Sequence, residues 1–259
     1  VSSVSGVHPF ALLNHRGSFF DTITLAHELG HALHFHLSAR AQPFAQAEPA
    51  YLLTEVPSTL SEVLAVRQLL ATTPDGTQRR AVLAAFLDRL CVLLVFDGRV
   101  AELEEAMHAH VEQGGTLSAE WLNAKQLSIA RTYAGHNQGV VKVADHEGST
   151  WNYPATFFDT WRGYKLVVAT VAALVLAEHL EQGGTSAQTQ VLTFLKAGCS
   201  KPPLLLLRDA GVDLADPACL AKAMRTFDRL VDELEALVPG TRPTQKARLL
   251  PDRGGETLP

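Results

Sequence analysis

The stretch His27-Glu28-Leu29-Gly30-His31 places two imidazoles and a carboxylate close together, inside a run from Asp21 to about Ala39 that reads as helical. Residues four apart lie one above the other on a helix face. His27 and His31 can therefore reach one metal ion at about 2.0–2.1 Å. Glu28 sits about 100° round the same helix, near enough to take a proton from a water at that ion. Asp21 is the expected N-cap, with Thr22-Ile23-Thr24-Leu25-Ala26 leading in. His34, seven residues after His27, returns to the same face and reads as an outer group of the site, whereas His36 points elsewhere. Gly30 costs a helix roughly 1 kcal/mol relative to alanine; a bare position there suits close packing beside a metal, or is incidental. The competing reading is a solvated helix that happens to be rich in histidine.

A hydrolytic zinc site needs a third protein ligand and an open fourth position. The segment Tyr51 to Leu64 offers one. Pro49 breaks the chain before it, Thr54 is a candidate cap, and Pro57 falls in a first turn, where a missing N–H does no harm. Glu55, Ser58 and Glu62 then form a polar stripe at i, i+3 and i+7, while Val56, Leu60, Val63 and Leu64 supply apolar packing. Carboxylates on an otherwise apolar helix need partners, because burying them unpaired is costly. Glu55 is read as the third ligand and Glu62 as a group that orients a ligating histidine. The alternative is an amphipathic helix whose glutamates face water.

The segments His8 to Asn14, Thr24 to His34 and Glu55 to Glu62 together resemble oligoendopeptidase F, a branch of the thimet oligopeptidase family of zinc peptidases. Phe194-Leu195-Lys196-Ala197-Gly198-Cys199-Ser200 and Leu207-Arg208-Asp209-Ala210-Gly211-Val212-Asp213 are similar to the end of the same catalytic domain. The likeness runs from about Val7 to about Val238. It implies a mainly α, zincin-type catalytic domain over 1–238, one zinc ion, hydrolysis of short peptides, and a C-terminal tail over 239–259.

The resemblance also implies a histidine and several tyrosines on the substrate side, in the stretch matching Trp151 to Thr170. Ungapped, the histidine position falls on Thr156, or on Ala155 with a one-residue shift, and one tyrosine position falls on Arg162. Tyr164 still matches a family tyrosine and is the expected oxyanion donor; losing such a donor costs about 10²–10³ in rate. Arg162 is a donor that could substitute or bind a substrate carboxylate. Residues two apart diverge by about 200° on a regular helix, so one of the pair faces the metal, and Tyr164 is preferred. The family's large helical N-terminal region has no counterpart here, and the chain opens on Val1. It therefore reads as the C-terminal catalytic part of something longer, with that region or a partner chain completing the cleft.

Composition fits this reading. The 259 residues suffice for a sizeable core. A net charge of −5 and the lack of a basic stripe argue against a nucleic-acid partner. Cys91, Cys199 and Cys219 show neither pairing nor metal spacing and read as reduced thiols of a cytoplasmic protein. The apolar run Leu166 to Ala177 is too short to span a bilayer and reads as a buried helix, so no membrane is expected. Helices are expected at about 21–39, 54–72, 78–112, 118–133, 157–182, 187–197 and 217–237. Phe10 to Asn14 is predicted to be a short edge strand that offers its backbone, and Asn14, to an extended peptide; an ordinary core strand is the alternative. His136, in the glycine-rich loop from Tyr133 to Thr150, is a further substrate-side candidate. Two function classes remain: an active zinc endopeptidase in which Glu28 activates water, and a zinc-binding relative or fragment that serves binding or assembly with little turnover.

Overall fold

The computed structural model describes residues 1–4, 6–152 and 161–238. Ten α-helices are found among them. They are α1 (Phe19–Ala41), α2 (Phe44–Ala47), α3 (Glu55–Thr72), α4 (Gly76–Cys91), α5 (Asp97–Glu112), α6 (Ala119–Tyr133), α7 (Arg162–Gln182), α8 (Gly184–Leu195), α9 (Pro203–Asp209) and α10 (Pro217–Ala236). A five-residue π-helical segment, Val92–Phe96, joins α4 to α5. The expected single helix over 78–112 thus runs on with a change of register; the wider turn re-aims α5 relative to α4. The short helix α9 escapes a periodicity reading because seven residues are too few to show one, although Pro202 and Pro203 mark its start.

The core is organised on α7. Its residues Val168 to Ala177 are buried almost all round, against α3, α5, α8 and α10. Alanines at 169, 172, 173 and 177 let neighbouring helices approach closely, while Leu174 and Leu176 fill the remaining space. By length and composition α7 could cross a membrane, but the greater part of its apolar stretch is buried inside the chain's own core. On the other side of α3 lies α1, so that α3 is held between the histidine-bearing helix and the core helix. Along α3, Val56, Val63 and Val66 are fully buried at spacings that fit one helical stripe.

Three sequence expectations change here. The strand over Phe10 to Asn14 does not form. Among the described residues there is one isolated antiparallel bridge, in which Ser2 and Phe10 exchange both backbone hydrogen bonds at 2.9 Å. Beyond it Ala11 to Asn14 have no partner strand, and Leu12 is almost wholly exposed. Short apolar runs without a neighbour to pair with do not make strands. Helix α1 is capped not by Asp21 but by Ser18. The Ser18 hydroxyl accepts from the Asp21 amide at 3.1 Å while Asp21 Oδ2 accepts from the Ser18 amide at 2.8 Å. This reciprocal pair is a capping box. It starts the helix at Phe19, two residues earlier than expected. Thr54 does flank α3, but its hydroxyl donates to the Tyr51 carbonyl and caps nothing. The predicted tail over 239–259 lies outside the described residues.

Candidate metal centre

Helix α1 brings His27 and His31 to one face, and α3 crosses that face with Glu55 in its first turn. The crossing is close because Gly30 sits at the contact. A Cβ on Gly30 would lie 2.5 Å from the Pro57 carbonyl oxygen, 2.6 Å from Ser58 Cα and 2.7 Å from Ser61 Oγ. No side chain fits there without moving α3, so the glycine inside the histidine motif is what lets Glu55 reach the histidines.

Three ligand atoms converge as a result. His27 Nε2 and His31 Nε2 are 3.1 Å apart, and each lies 3.4 Å from Glu55 Oε2. Two ligands at about 2.0–2.1 Å from one ion, subtending a tetrahedral angle, are about 3.3–3.4 Å apart. The observed triangle matches that edge on all three sides to within a few tenths of an ångström. Among the described residues this is the one group of three His, Cys, Asp or Glu side chains close enough to hold an ion. The donor set, two imidazoles and one carboxylate, is that of a zinc site with an open position.

The groups behind the ligands are unequal. His27 Nδ1 lies 2.6 Å from Glu62 Oε1. Glu62 is 1 % exposed and is gripped in turn by Arg89 of α4, whose Nε donates to Oε2 at 3.1 Å and whose Nη2 donates to Oε1 at 3.0 Å. Burial alone raises the Glu62 carboxyl, but the His27 and Arg89 hydrogen bonds outweigh it and hold the group below the usual carboxylate range. By contrast, His31 Nδ1 is buried without a hydrogen-bond partner. Glu55 is doubly engaged: Ser58 Oγ donates to its Oε2 at 3.2 Å, and Lys165 Nζ of α7 lies 3.2 Å from its Oε1. Burial again pushes the Glu55 carboxyl up, but His31, Lys165 and His27 override it and keep Glu55 ionised well below its ordinary range.

The remaining sequence candidates separate. Glu28 follows His27 on α1, outside the ligand triangle, and its Oε2 accepts from the Val1 nitrogen at 2.7 Å. His34 is buried, not at the centre but beneath it, stacked on Phe194 of α8 with ring centroids 5.8 Å apart. Burial, aided by the neighbouring His31, pushes its imidazole down to about 4, so it is neutral at physiological pH. It forms no hydrogen bond to a ligand: it lies about 10 Å further along the helix axis than His27, where it packs against Phe194 in the core. Tyr164 is half-exposed and lines a cavity of about 510 Å³ with Tyr51, Leu52, Trp161 and Lys165. Arg162 is near enough to Asp97 of α5 to pull down its carboxyl, so the two residues diverge as helical geometry requires. Asn14 is exposed in the irregular segment before α1. His136 accepts from the Val143 amide at 2.9 Å and closes its own loop. Neither hydrogen-bonds to the ligand triangle. Thr156 and Ala155 lie outside the described residues.

Sequence reasoning missed Arg89 and Lys165. Arg89 carries no signal, being one of several basic residues on α4. Lys165 carried one: it heads the apolar run of α7 on the stripe shared with Val168, Ala169 and Ala172, where a lone charge needs a buried partner.

Comparison with known proteins shows which family the chain is similar to. The model of peptidase family M3 matches residues 2–226. Oligopeptidase PepF of Bacillus subtilis is 29 % identical over 92 % of this chain and 35 % of its own length. Group B oligopeptidase PepB of Streptococcus agalactiae is 30 % identical over 88 % of this chain and 38 % of its own. The chain thus spans little more than a third of the curated relatives it matches. The solved structure of oligoendopeptidase-F from Enterococcus faecium superposes with a TM-score of 0.71 at 27 % identity, over 85 % of this chain and 41 % of that one. A solved protein of Chlamydophila abortus superposes with a TM-score of 0.83 at 27 % identity, covering 92 % of this chain and 39 % of the other.

Proposed function

The chain belongs to peptidase family M3, and from that premise we propose that it is the catalytic part of a zinc-dependent endopeptidase acting on short peptides. The observation that carries the reading is the ligand triangle, with edges of 3.1, 3.4 and 3.4 Å. His27, His31 and Glu55 would hold one zinc ion, which when bound supplies Lewis acidity toward a peptide carbonyl. His27 is kept in one orientation by Glu62, which accepts a hydrogen bond from Nδ1–H and leaves Nε2 free as a ligand. Glu28 takes a proton from the attacking water on its carboxylate and returns it to the departing amine. Its position one residue after a ligand brings it to the site without making it a ligand. Tyr164, at the rim of the aromatic cavity, is the donor assigned to the developing oxyanion.

The test separates metal from turnover. His31→Ala and Glu55→Ala should lose zinc by metal analysis, whereas Glu28→Gln should keep it and cleave no peptide. Full zinc retention in both ligand variants sinks the assignment. A second reading, a zinc-binding relative that serves binding or assembly, draws on Arg162, which stands where the family resemblance expects a tyrosine and lies near Asp97. Zinc bound at one per chain with no peptide cleaved, even when the chain is joined to the N-terminal portion that its longer relatives possess, favours that second reading.

A further inference from the structure

We propose that Lys165 is a positioning residue for the metal centre: its ammonium occupies Glu55 Oε1, so that the carboxylate meets an ion through Oε2 alone. This rests on the reading of His27, His31 and Glu55 as the ligand set. The two oxygens of Glu55 face different ways. Oε2 is 3.4 Å from both ligating nitrogens, whereas Oε1 is 3.2 Å from Lys165 Nζ. A carboxylate with both oxygens free can swing to grip an ion with both, which adds a ligand and fills the position that a hydrolytic site keeps open. An ammonium already bound to the outer oxygen opposes that swing.

Lys165 is placed for this task by several independent contacts. Its side chain is 7 % exposed and that of Glu55 is 15 % exposed, so this is not a loose surface pair. The ammonium also lies 3.8 Å from the centroid of the Tyr51 ring, which stabilises a cation over its face. The start of α7 is pinned one turn earlier. The Trp161 amide donates to both carboxylate oxygens of Glu104, at 2.8 and 3.0 Å, with Trp161 itself in the left-handed region at φ 59°. Gly163 then lets α7 close on α5: a Cβ there would meet the Asp97 carbonyl oxygen at 2.6 Å. The backbone that carries Lys165 is therefore fixed from both sides, and the length of its side chain sets where the ammonium ends.

The experiment replaces zinc with cobalt(II) in the whole chain and reads the visible absorption, which weakens as the coordination number rises from four to five. Lys165→Met removes the donor at similar length; Lys165→Gln keeps a donor without the charge. The wild-type chain should show the intense bands of a four-coordinate ion. Lys165→Met should lose about half that intensity or more, and Lys165→Gln should recover most of it. Circular dichroism confirms that all three are folded, and a merely structural ion pair would alter melting without altering the spectrum. A Lys165→Met spectrum equal to the wild type, or a Lys165→Gln spectrum as weak as that of Lys165→Met, overturns the proposal while leaving the ligand set standing. A wild-type chain that takes up no cobalt overturns both.

Discussion

Gly30→Ala is the sharpest perturbation of the centre, because it touches no ligand. The added methyl carbon would stand 2.5–2.7 Å from three atoms of α3, two of them backbone. Ordinary contacts at such carbons begin near about 3.4 Å, so α3 must retreat from α1 by about 1 Å. Two free-energy effects then compete. Alanine raises helix propensity by roughly 1 kcal/mol, while overpacking costs about 1–3 kcal/mol. The metal-free chain should therefore lose no more than about 2 kcal/mol, a fall in Tm of about 4–8 °C for a domain of this size. The metal suffers more. Ligand distances tolerate only about ±0.2 Å, and a retreat of α3 carries Glu55 Oε2 away from both histidines. Zinc affinity should drop by at least about tenfold, comparable to the loss of a ligand-orienting group. Chelator competition measures the affinity, and thermal melts with and without chelator measure the stability. A Gly30→Ala chain that binds zinc within twofold of the wild type would refute the claim that this glycine sets the α1–α3 separation.

Two further predictions concern the charges around the centre. Arg89→Met leaves the buried Glu62 with His27 alone, and removing one partner of a buried ion pair costs about 3–5 kcal/mol; denaturant unfolding should show that loss, and Arg89→Met combined with Glu62→Leu should recover much of the stability but not the zinc affinity. Asp97 is buried, and desolvation raises its carboxyl to about 6 despite Arg89 and Arg162 nearby; its contribution to stability is therefore full below about pH 4 and is lost as pH rises through about 6. Asp97→Asn should accordingly gain on the wild type between those pH values, by at most about 3 kcal/mol, in urea melts at pH 4 and pH 7; an equal difference at both would remove Asp97 from the pH dependence.

What could be read beforehand was whatever repeats along a helix. His27, His31, Glu55 and Glu62 were legible because each pair obeys helical spacing and because carboxylates on an apolar stripe demand partners. The buried course of α7 was legible from its unbroken apolar run. Most of the failures share one cause, that they depend on contacts distant in sequence. Phe10 to Asn14 has strand-like residues, but among the described residues only Phe10 is paired, in a single bridge to Ser2, and nothing local reveals that. His34 obeys the spacing of the motif yet lies under Phe194, a residue 160 positions later, and becomes part of the core. Arg89 and Lys165 matter only because α4 and α7 fold back on α3. Ser18, by contrast, was within reach, since Ser18 and Asp21 three apart already spell a capping box.

The four helices around the centre explain why so many charges can be buried in one place. Glu55 and Glu62 are seven residues apart on α3, two turns of one stripe, and each meets a cation from a different helix: Lys165 of α7 for the first and Arg89 of α4 for the second. Between them stand His27 and His31 of α1. An ion bound to the triangle would therefore not merely join two side chains. It would lock α1 to α3 at a point where α3 is already tied to α4 and α7, so that affinity for metal and resistance to unfolding become one linked quantity. A ligand that binds the folded chain and not the unfolded one stabilises it by about 2.7 kcal/mol at a hundred times its dissociation constant. The cations from α4 and α7 offset the buried carboxylates, which would keep the three side chains together in advance of any ion. The cost of ordering such a site would thus be met by helix packing before any metal arrives, and the groups most exposed to that trade are the two cations that no sequence motif contains.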